Sequence, residues 1–446
     1  MNAPEDLLVD FVANAQHESL RPEVLEKAAL CLLDGLSLAR AAADHDVVTA
    51  VHDVVGLPRN YSAASWSTGE QLSATDAAFV NGVAIHAFFQ DDTDMNTWGH
   101  PASVVIPAVA AAAEIADREL PELLSGLVVG YSTMAWLAAN EEVARQLVEG
   151  GFRASPTLGA IAAAMGSAAV LGLEPDRIRS ALGIAAGSLG GTLESVRSGA
   201  QDWRLQNGFA AERGLTAALA ARAGVRGPEL PLTGPKGFLA TYCDGDLPKP
   251  WTQPPSTEAI MEVWFKPYPI LGDNVAVAVA ASTLTAGLLS ADVDRITIGM
   301  NAHFAKYPGT QYAGPFNRVE QAIASTAFGV AAVLLHGPFQ YSQYDELLAD
   351  EELLRLVSIT SIEPDHGLGY LDGTVEVRAG GQVISARAAD APRVSFFRDR
   401  ETMLAFLVSR GQPDAIAIAE DIFNALDGAP WPATTNLSPI KDRSQA

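Results

Sequence analysis

The sequence predicts a mainly α protein with an α+β insertion: a large all-helical domain and a smaller α+β lid domain. Three observations predict it. Over roughly the first 260 residues apolar side chains recur at helical spacing, and period-two alternation is almost absent. Near residue 263, after Pro248, Pro250, Pro254 and Pro255 break the helical register, short β-rich runs begin. From 400 to 426 helical spacing returns. The expected division is 1–262 and 398–446 for a discontinuous helical domain, with 263–397 as the inserted lid.

Taken in order, Glu5–His17 reads as a short amphipathic helix. Pro22 opens the next, with Val24, Leu25, Ala28, Leu32, Gly35, Leu36 and Ala39 on one stripe. Residues 55–72 read as irregular, and Ser73–Phe88 as helix. Pro107–Leu120 and Pro121–Asn140 follow as two helices, each restarted by a proline, and Pro156–Leu173 and Pro175–Leu189 repeat that layout. In the insertion, Arg295–Asn301, Val357–Ile362 and Thr374–Arg378 read as strands, with helices at Asn274–Leu288 and Gln321–Leu335. Val375, Val377, Val383 and Ser385 flank Gly380–Gly381, a hairpin signal. The tail after Pro432 reads as disordered.

Composition narrows the function. With 446 residues and 48% apolar content the chain can bury a sizeable core without staples. Its two cysteines, Cys31 and Cys243, give no disulfide framework, which suits a reducing cytoplasm. The net charge of −24, from 53 acidic and 29 basic side chains, disfavours nucleic acid and anionic membrane as partners. The start, MNAPEDLLVDF, lacks the basic residues and apolar run of a signal peptide. Pro156–Leu173 is uncharged, but its alanines and glycines make it a helix buried all round rather than a membrane span.

One stretch interrupts the helical pattern. In Asn81–Pro107, NGVAIHAFFQDDTDMNTWGHPASVVIP, three aspartates and a histidine crowd into a polar loop between apolar helices. His100 titrates near neutral pH and can move a proton. Asp91 or Asp92 could orient it or bind substrate; alternatively Asp92–Thr93 caps a turn and His100 is only a structural polar residue. A metal site is disfavoured: His86 and His100 are far apart for a compact motif, and no His-Glu-x-x-His or paired-cysteine spacing occurs. With no Walker loop, strand-borne G-x-G-x-x-G or cysteine cluster, no cofactor is expected.

The segment HAFFQDDT…GHPASVVIPAVAAAAE resembles the hallmark H-x-x-D-[FY]-D-D-[TS]…HPS-x-x-[VL]-P-A of the MmgE/PrpD superfamily. That group includes 2-methylcitrate dehydratase, cis-aconitate decarboxylase and iminodisuccinate epimerase. RPEVLEKAALCLLDGLSLA, PTLGAIAAAMGSAAVLGL, KGFLATYCDG and FKPYP extend the resemblance over nearly the whole chain. It implies the same helical body with an inserted lid, a homodimer formed through the helical domain, and an active-site lysine at Lys266. From sequence alone a solvated surface lysine is the other reading. Thr192–Arg213 is the densest basic stretch. Its Arg197, Arg204 and Arg213 either bind carboxylates or pair with Glu194, Asp202 and Glu212. Relatives approach the substrate from this stretch, so the resemblance makes Arg204 a substrate-binding candidate. Arg153 stands where relatives carry the histidine of Gly-Phe-His, and Tyr312, by its spacing from Lys266, where they carry a cleft tyrosine.

The departures are as informative. Phe89 and Gln90 replace the first aspartate and the aromatic of the hallmark, Arg153 replaces a histidine, and Trp203 a lysine. The loop to Gly99–His100 has the length and Gly-His ending of the epimerase branch. Cis-aconitate decarboxylation is not expected. The shared chemistry is proton movement at a carbon next to a carboxylate, which needs a base and cationic donors. The expected catalytic residues are His100, Lys266, Asp92 and Tyr312, with Asp91, Thr93, Arg153 and Arg204 binding a small anionic carboxylate. The leading expectation is a cofactor-independent lyase of the dehydratase type acting on a small di- or tricarboxylate. An epimerase of an imino- or amino-dicarboxylate and a catalytically lapsed binding protein are the rivals.

Overall fold

The computed structural model describes residues 3–49, 63–284, 293–390, 396 and 399–429. Residues 55–62 of the expected irregular stretch, residues 285–288 of the expected 274–288 helix and the tail after Pro432 lie outside them. The chain is mainly helical, with a small mixed sheet in its later part.

Local chemistry starts the helices. Proline occupies the first turn of Pro4–Asn14 and Pro22–Ala41, where its missing N–H costs nothing. Ser73 caps Ala74–His86 by accepting from the Asp76 amide at 3.2 Å. Pro107 does not restart a helix. It lies inside Ala102–Ile115, because the loop before it already starts the helix five residues earlier. The carbonyl of Ser103, which Pro107 leaves without its helical donor, faces the close backbone approach at Gly82. Leu120–Ala138, Ala154–Val170, Pro175–Ala186 and Trp203–Ala223 follow. The expectation of an all-helical first part misses one hairpin, β1 (Ala63–Ala64) and β2 (Gln71–Leu72).

Small residues let these helices approach closely. A β-carbon at Gly166 would lie 2.7 Å from the Gly126 carbonyl oxygen and 2.7 Å from a Val109 methyl. Because one of those atoms is backbone, Gly166→Ala is expected to cost about 1–3 kcal/mol in urea unfolding. A wild-type midpoint would mean that the helices part freely there. No single helix among the described residues is long and apolar enough to cross a membrane.

The sheet has the order β4–β3–β5–β6, with β3 Val293–Asn301, β4 Thr360–Asp365, β5 Gly373–Ala379 and β6 Gln382–Arg387. β3 and β4 are parallel, with Ile296 opposite Thr360; the other pairs are antiparallel. Gly380 and Gly381 have φ of 53° and 78°, the left-handed geometry of a two-residue hairpin turn. Val357 ends the helix Glu351–Ser358 rather than starting a strand, and Ser325 splits the expected 321–335 helix by capping Thr326–His336.

Two hydrophobic cores result. One gathers the helices up to Phe265 with Met403, Leu407, Ile418 and Ile422 of the last two helices, Arg400–Ser409 and Ala415–Leu426. The other gathers the sheet, its helices, and Phe89, Leu193, Val196 and Trp203 from the earlier part of the chain.

Candidate active site

The loop after His86 runs along the seam between the two cores. Thr93 and Trp264 exchange backbone hydrogen bonds of 2.9 and 3.0 Å, which ties the segment of Lys266, two residues past Trp264, to the loop. Asp92 accepts from the Ala102 amide and the Tyr131 hydroxyl, each at 2.8 Å, and so anchors the start of Ala102–Ile115. The His100 amide donates to Ser155 Oγ at 3.0 Å. Gly99 is required beside it: a β-carbon there would lie 2.7 Å from Met134 Cε and 3.2 Å from that same Oγ.

These contacts orient the imidazole. His100 Nδ1 lies 3.0 Å from the Asp92 carbonyl oxygen and 3.2 Å from Thr93 Oγ1. A carbonyl only accepts, so Nδ1 carries the proton and Nε2 keeps its lone pair. Burial, and then the charge of Lys266, push the ring well below its usual pKa. The neutral, basic form of His100 therefore persists through the neutral range.

A second histidine, His86, is fully buried beneath the first. Its Nδ1 lies 2.8 Å from Asp91, and Arg153 donates to its Nε2 at 3.0 Å. The Arg153 hydrogen bond makes Nε2 the acceptor and Nδ1 the donor to Asp91. Burial lowers His86 to about 4, against the pull of Asp91. Burial opposes ionisation of Asp91, but the hydrogen bond from the His86 ring and the charge of Lys266 hold its carboxyl below the ordinary value. Asp92 is driven well above it by burial and by Asp34 and Asp91.

Two cations complete the site. Arg153 also donates to the Trp203 carbonyl at 2.7 Å and to Gln206 at 3.1 Å. Lys266 Nζ lies 4.3 Å from the Phe89 ring centre and 3.4 Å from the Ile270 carbonyl. Both side chains are buried, and among the described residues neither makes an ion pair with a carboxylate. Burial lowers Lys266 to about 8, with Asp91, Asp92 and Asp273 pulling the other way. Buried cations without a partner anion are costly, and a ligand anion would relieve them.

A small cavity of about 30 Å³, room for one water, opens between the cores. Phe89, Thr93, Met95, Trp98, His100, Arg153 and Ser155 line one side, and Leu271, Asp273, Phe304 and Tyr307 the other. A far larger open groove, about 1020 Å³, lies by Trp136, Glu141 and Lys249, but it holds none of this convergence.

Of the residues singled out in the sequence, His100, Thr93 and Arg153 line the cavity, and Lys266 stands behind the Phe89 ring. Asp91 and Asp92 support the loop without lining it. Arg204 does not reach it: the guanidinium pairs with Glu320 at 2.7 Å and also binds the Ala87 carbonyl and the Tyr341 hydroxyl. The tyrosine on the cavity is Tyr307, not Tyr312, whose hydroxyl donates to the nearby Pro315 carbonyl. Arg197 pairs with Glu194 at the surface. Tyr131, Ser155, Asp273 and Tyr307 carry no sequence motif of their own; His86 opens the hallmark segment, but nothing in that motif reports its contacts with Asp91 and Arg153.

The geometry can be set beside known proteins. The chain is 31% identical to the cis-aconitate decarboxylase-like protein oryM of Aspergillus oryzae over 278 residues, 58% of this chain and 55% of that protein. It is 29% identical to the cis-aconitate decarboxylase of Aspergillus terreus, covering 54% of this chain and 50% of that one. With the human cis-aconitate decarboxylase it shares 28% identity over 72% of this chain and 69% of the relative. The matches thus span about half the length of the two fungal relatives. The MmgE/PrpD N-terminal domain matches residues 6–250, more than half of the sequence, and the chain belongs to the MmgE/PrpD family.

Proposed function

We propose that this chain is a lyase that removes a proton α to a carboxylate of a small di- or tricarboxylate. The observation that carries the reading is the pair of buried cations, Arg153 and Lys266, that have no carboxylate partner among the described residues, beside an imidazole whose Nε2 keeps its lone pair. The relatives, named for decarboxylating cis-aconitate, support a lyase acting on a small carboxylate.

In this reading His100 Nε2 takes the α-proton. Thr93 and the Asp92 carbonyl hold its tautomer. Lys266 and Arg153 bind the carboxylate and stabilise the enediolate as charge moves onto its oxygens. Asp91 and His86 hold the Arg153 guanidinium in place. Arg204 and Tyr312 have no part in it. A dicarboxylate exceeds about 30 Å³, so the walls must part for entry. The Arg204–Glu320 pair and the hydrogen bond from Tyr370 to Glu141 join elements of the two cores.

The test is incubation in D₂O with malate, citrate, 2-methylcitrate and cis-aconitate, followed by NMR. Deuterium at the carbon α to a carboxylate together with a lyase product is expected. Deuterium without any new product would turn the reading toward epimerisation. Neither change with any of the four would contradict it.

A further inference from the structure

The second wall of the cavity carries a carboxylate that the reading above leaves without a task. Asp273 sits on the turn Gly272–Asn274, between Lys266 and the helix Val275–Ser282. The turn is tightly anchored. The Leu271 amide donates to the Ile323 carbonyl at 3.0 Å, Asn274 donates to the Ala324 carbonyl at 3.0 Å, and Thr326 donates to Asn274 at 2.7 Å. Between these fixed residues, and among the described residues, the Asp273 carboxylate accepts a hydrogen bond only from its own backbone N–H, with the Lys266 charge acting on it. It caps no helix and pairs with no base among the described residues. Gly272 brings the turn against the loop of His100: a β-carbon there would be 3.4 Å from the Thr93 methyl, and Thr93 contacts the imidazole.

A fixed anion here would oppose the binding of an anionic substrate. The charged and titratable groups around it are Lys266, Arg153, Tyr307 and His100. A carboxyl that enters the complex protonated raises no such conflict, and it can donate. We infer that Asp273 is the acid that works opposite His100, giving its proton to the group that leaves the β-carbon. The inference rests on the lyase reading and deepens it. His100 Nε2 takes the α-proton; the Cα–H electron pair forms the Cα=Cβ bond. The Cβ–O bond breaks, its electron pair stays on oxygen, and the oxygen takes the Asp273 proton and departs as water. Burial, opposed by Lys266, raises Asp273 to about 7, so that it is partly protonated at neutral pH.

Asp273→Asn keeps the volume and removes the transferable proton. Wild type and variant are compared on malate, citrate and 2-methylcitrate for α-deuterium exchange and for alkene formation, with thermal melting as a check on folding. The expected result is exchange within about threefold of wild type and alkene formation reduced ~10²–10⁴-fold, the usual weight of a general acid. Alkene formation at the wild-type rate, or equal loss of exchange and elimination in a folded variant, would overturn the assignment. If Asp273→Asn fails to fold, Asp273→Ser is read by the same split. A wild-type enzyme that neither exchanges nor eliminates on any of the three acids removes the lyase reading itself. That outcome is distinct from an active wild type whose variant is unimpaired.

Discussion

His100→Ala is expected to lose α-proton exchange by ~10²–10⁴-fold, the range typical of a removed general base. The imidazole is the one group on the cavity with a lone pair held by tautomer. Its Nδ1 is committed to the Asp92 carbonyl, and burial with the Lys266 charge keeps the ring neutral. The loss should fall on kcat more than on KM, because the clamp for the carboxylate stays in place. The fold should survive, since the loop is pinned through backbone groups of Thr93 and His100 rather than through the ring. NMR exchange rates and a thermal melt check both statements. Full exchange in the variant would take His100 out of the mechanism.

Lys266→Met is expected to lower kcat/KM by ~10²–10³-fold, in line with the loss of one preorganised donor to a developing oxyanion. Methionine has a similar length, so the lost term is the charge. The same lysine sets the alkaline limb of the pH profile of α-proton exchange, the step that does not draw on the Asp273 proton. Burial lowers it to about 8 in the free protein, so kcat/KM should fall as pH rises through that value and the ammonium is neutralised. An anion bound beside it favours the charged form, so binding near pH 8 should take up protons, visible by calorimetry in buffers of different ionisation heat. On the acid side, the depressed His100 keeps the base ready below its ordinary pKa. A profile flat from pH 7 to about 10 would separate Lys266 from the substrate.

Much of the architecture was legible because it rests on local chemistry. Pro22 marks where Pro22–Ala41 opens. The valines around Gly380–Gly381 announced β5 and β6, whose register is set by the turn. Pro107 misled because proline is tolerated within a helix when packing compensates, and spacing alone cannot report packing. Val357 misled for a related reason: a β-branched residue at the end of an amphipathic helix looks like the start of a strand.

At the site, the loop of His100 was legible because a cluster of polar residues between apolar helices is rare. The partners of Arg204 were not. Glu320 and Tyr341 lie more than a hundred residues away, and only the fold brings them to the guanidinium. Asp273 has no local signature at all; its position depends on anchors at Ile323, Ala324 and Thr326. Three departures that looked independent turn out to share one place. The Phe89 and Trp203 rings meet edge-on at 4.6 Å, and Arg153 binds the Trp203 carbonyl. Phe89 adopts φ of 54°, an uncommon geometry for a bulky residue, with its ring also against His86 and His100. Phe89 and Arg153 thus stand side by side on the cavity wall, with Trp203 packed behind them.

A crystal structure of the protein with succinate, a dicarboxylate with no β-leaving group, tests the convergence of these groups most directly. One succinate carboxylate should lie within about 3.5 Å of both Lys266 Nζ and an Arg153 guanidinium nitrogen. The adjoining carbon should approach His100 Nε2 to within about 3.5 Å. Succinate seated in the groove beside Trp136, or His100 and Lys266 facing different cavities in the complex, would contradict the account.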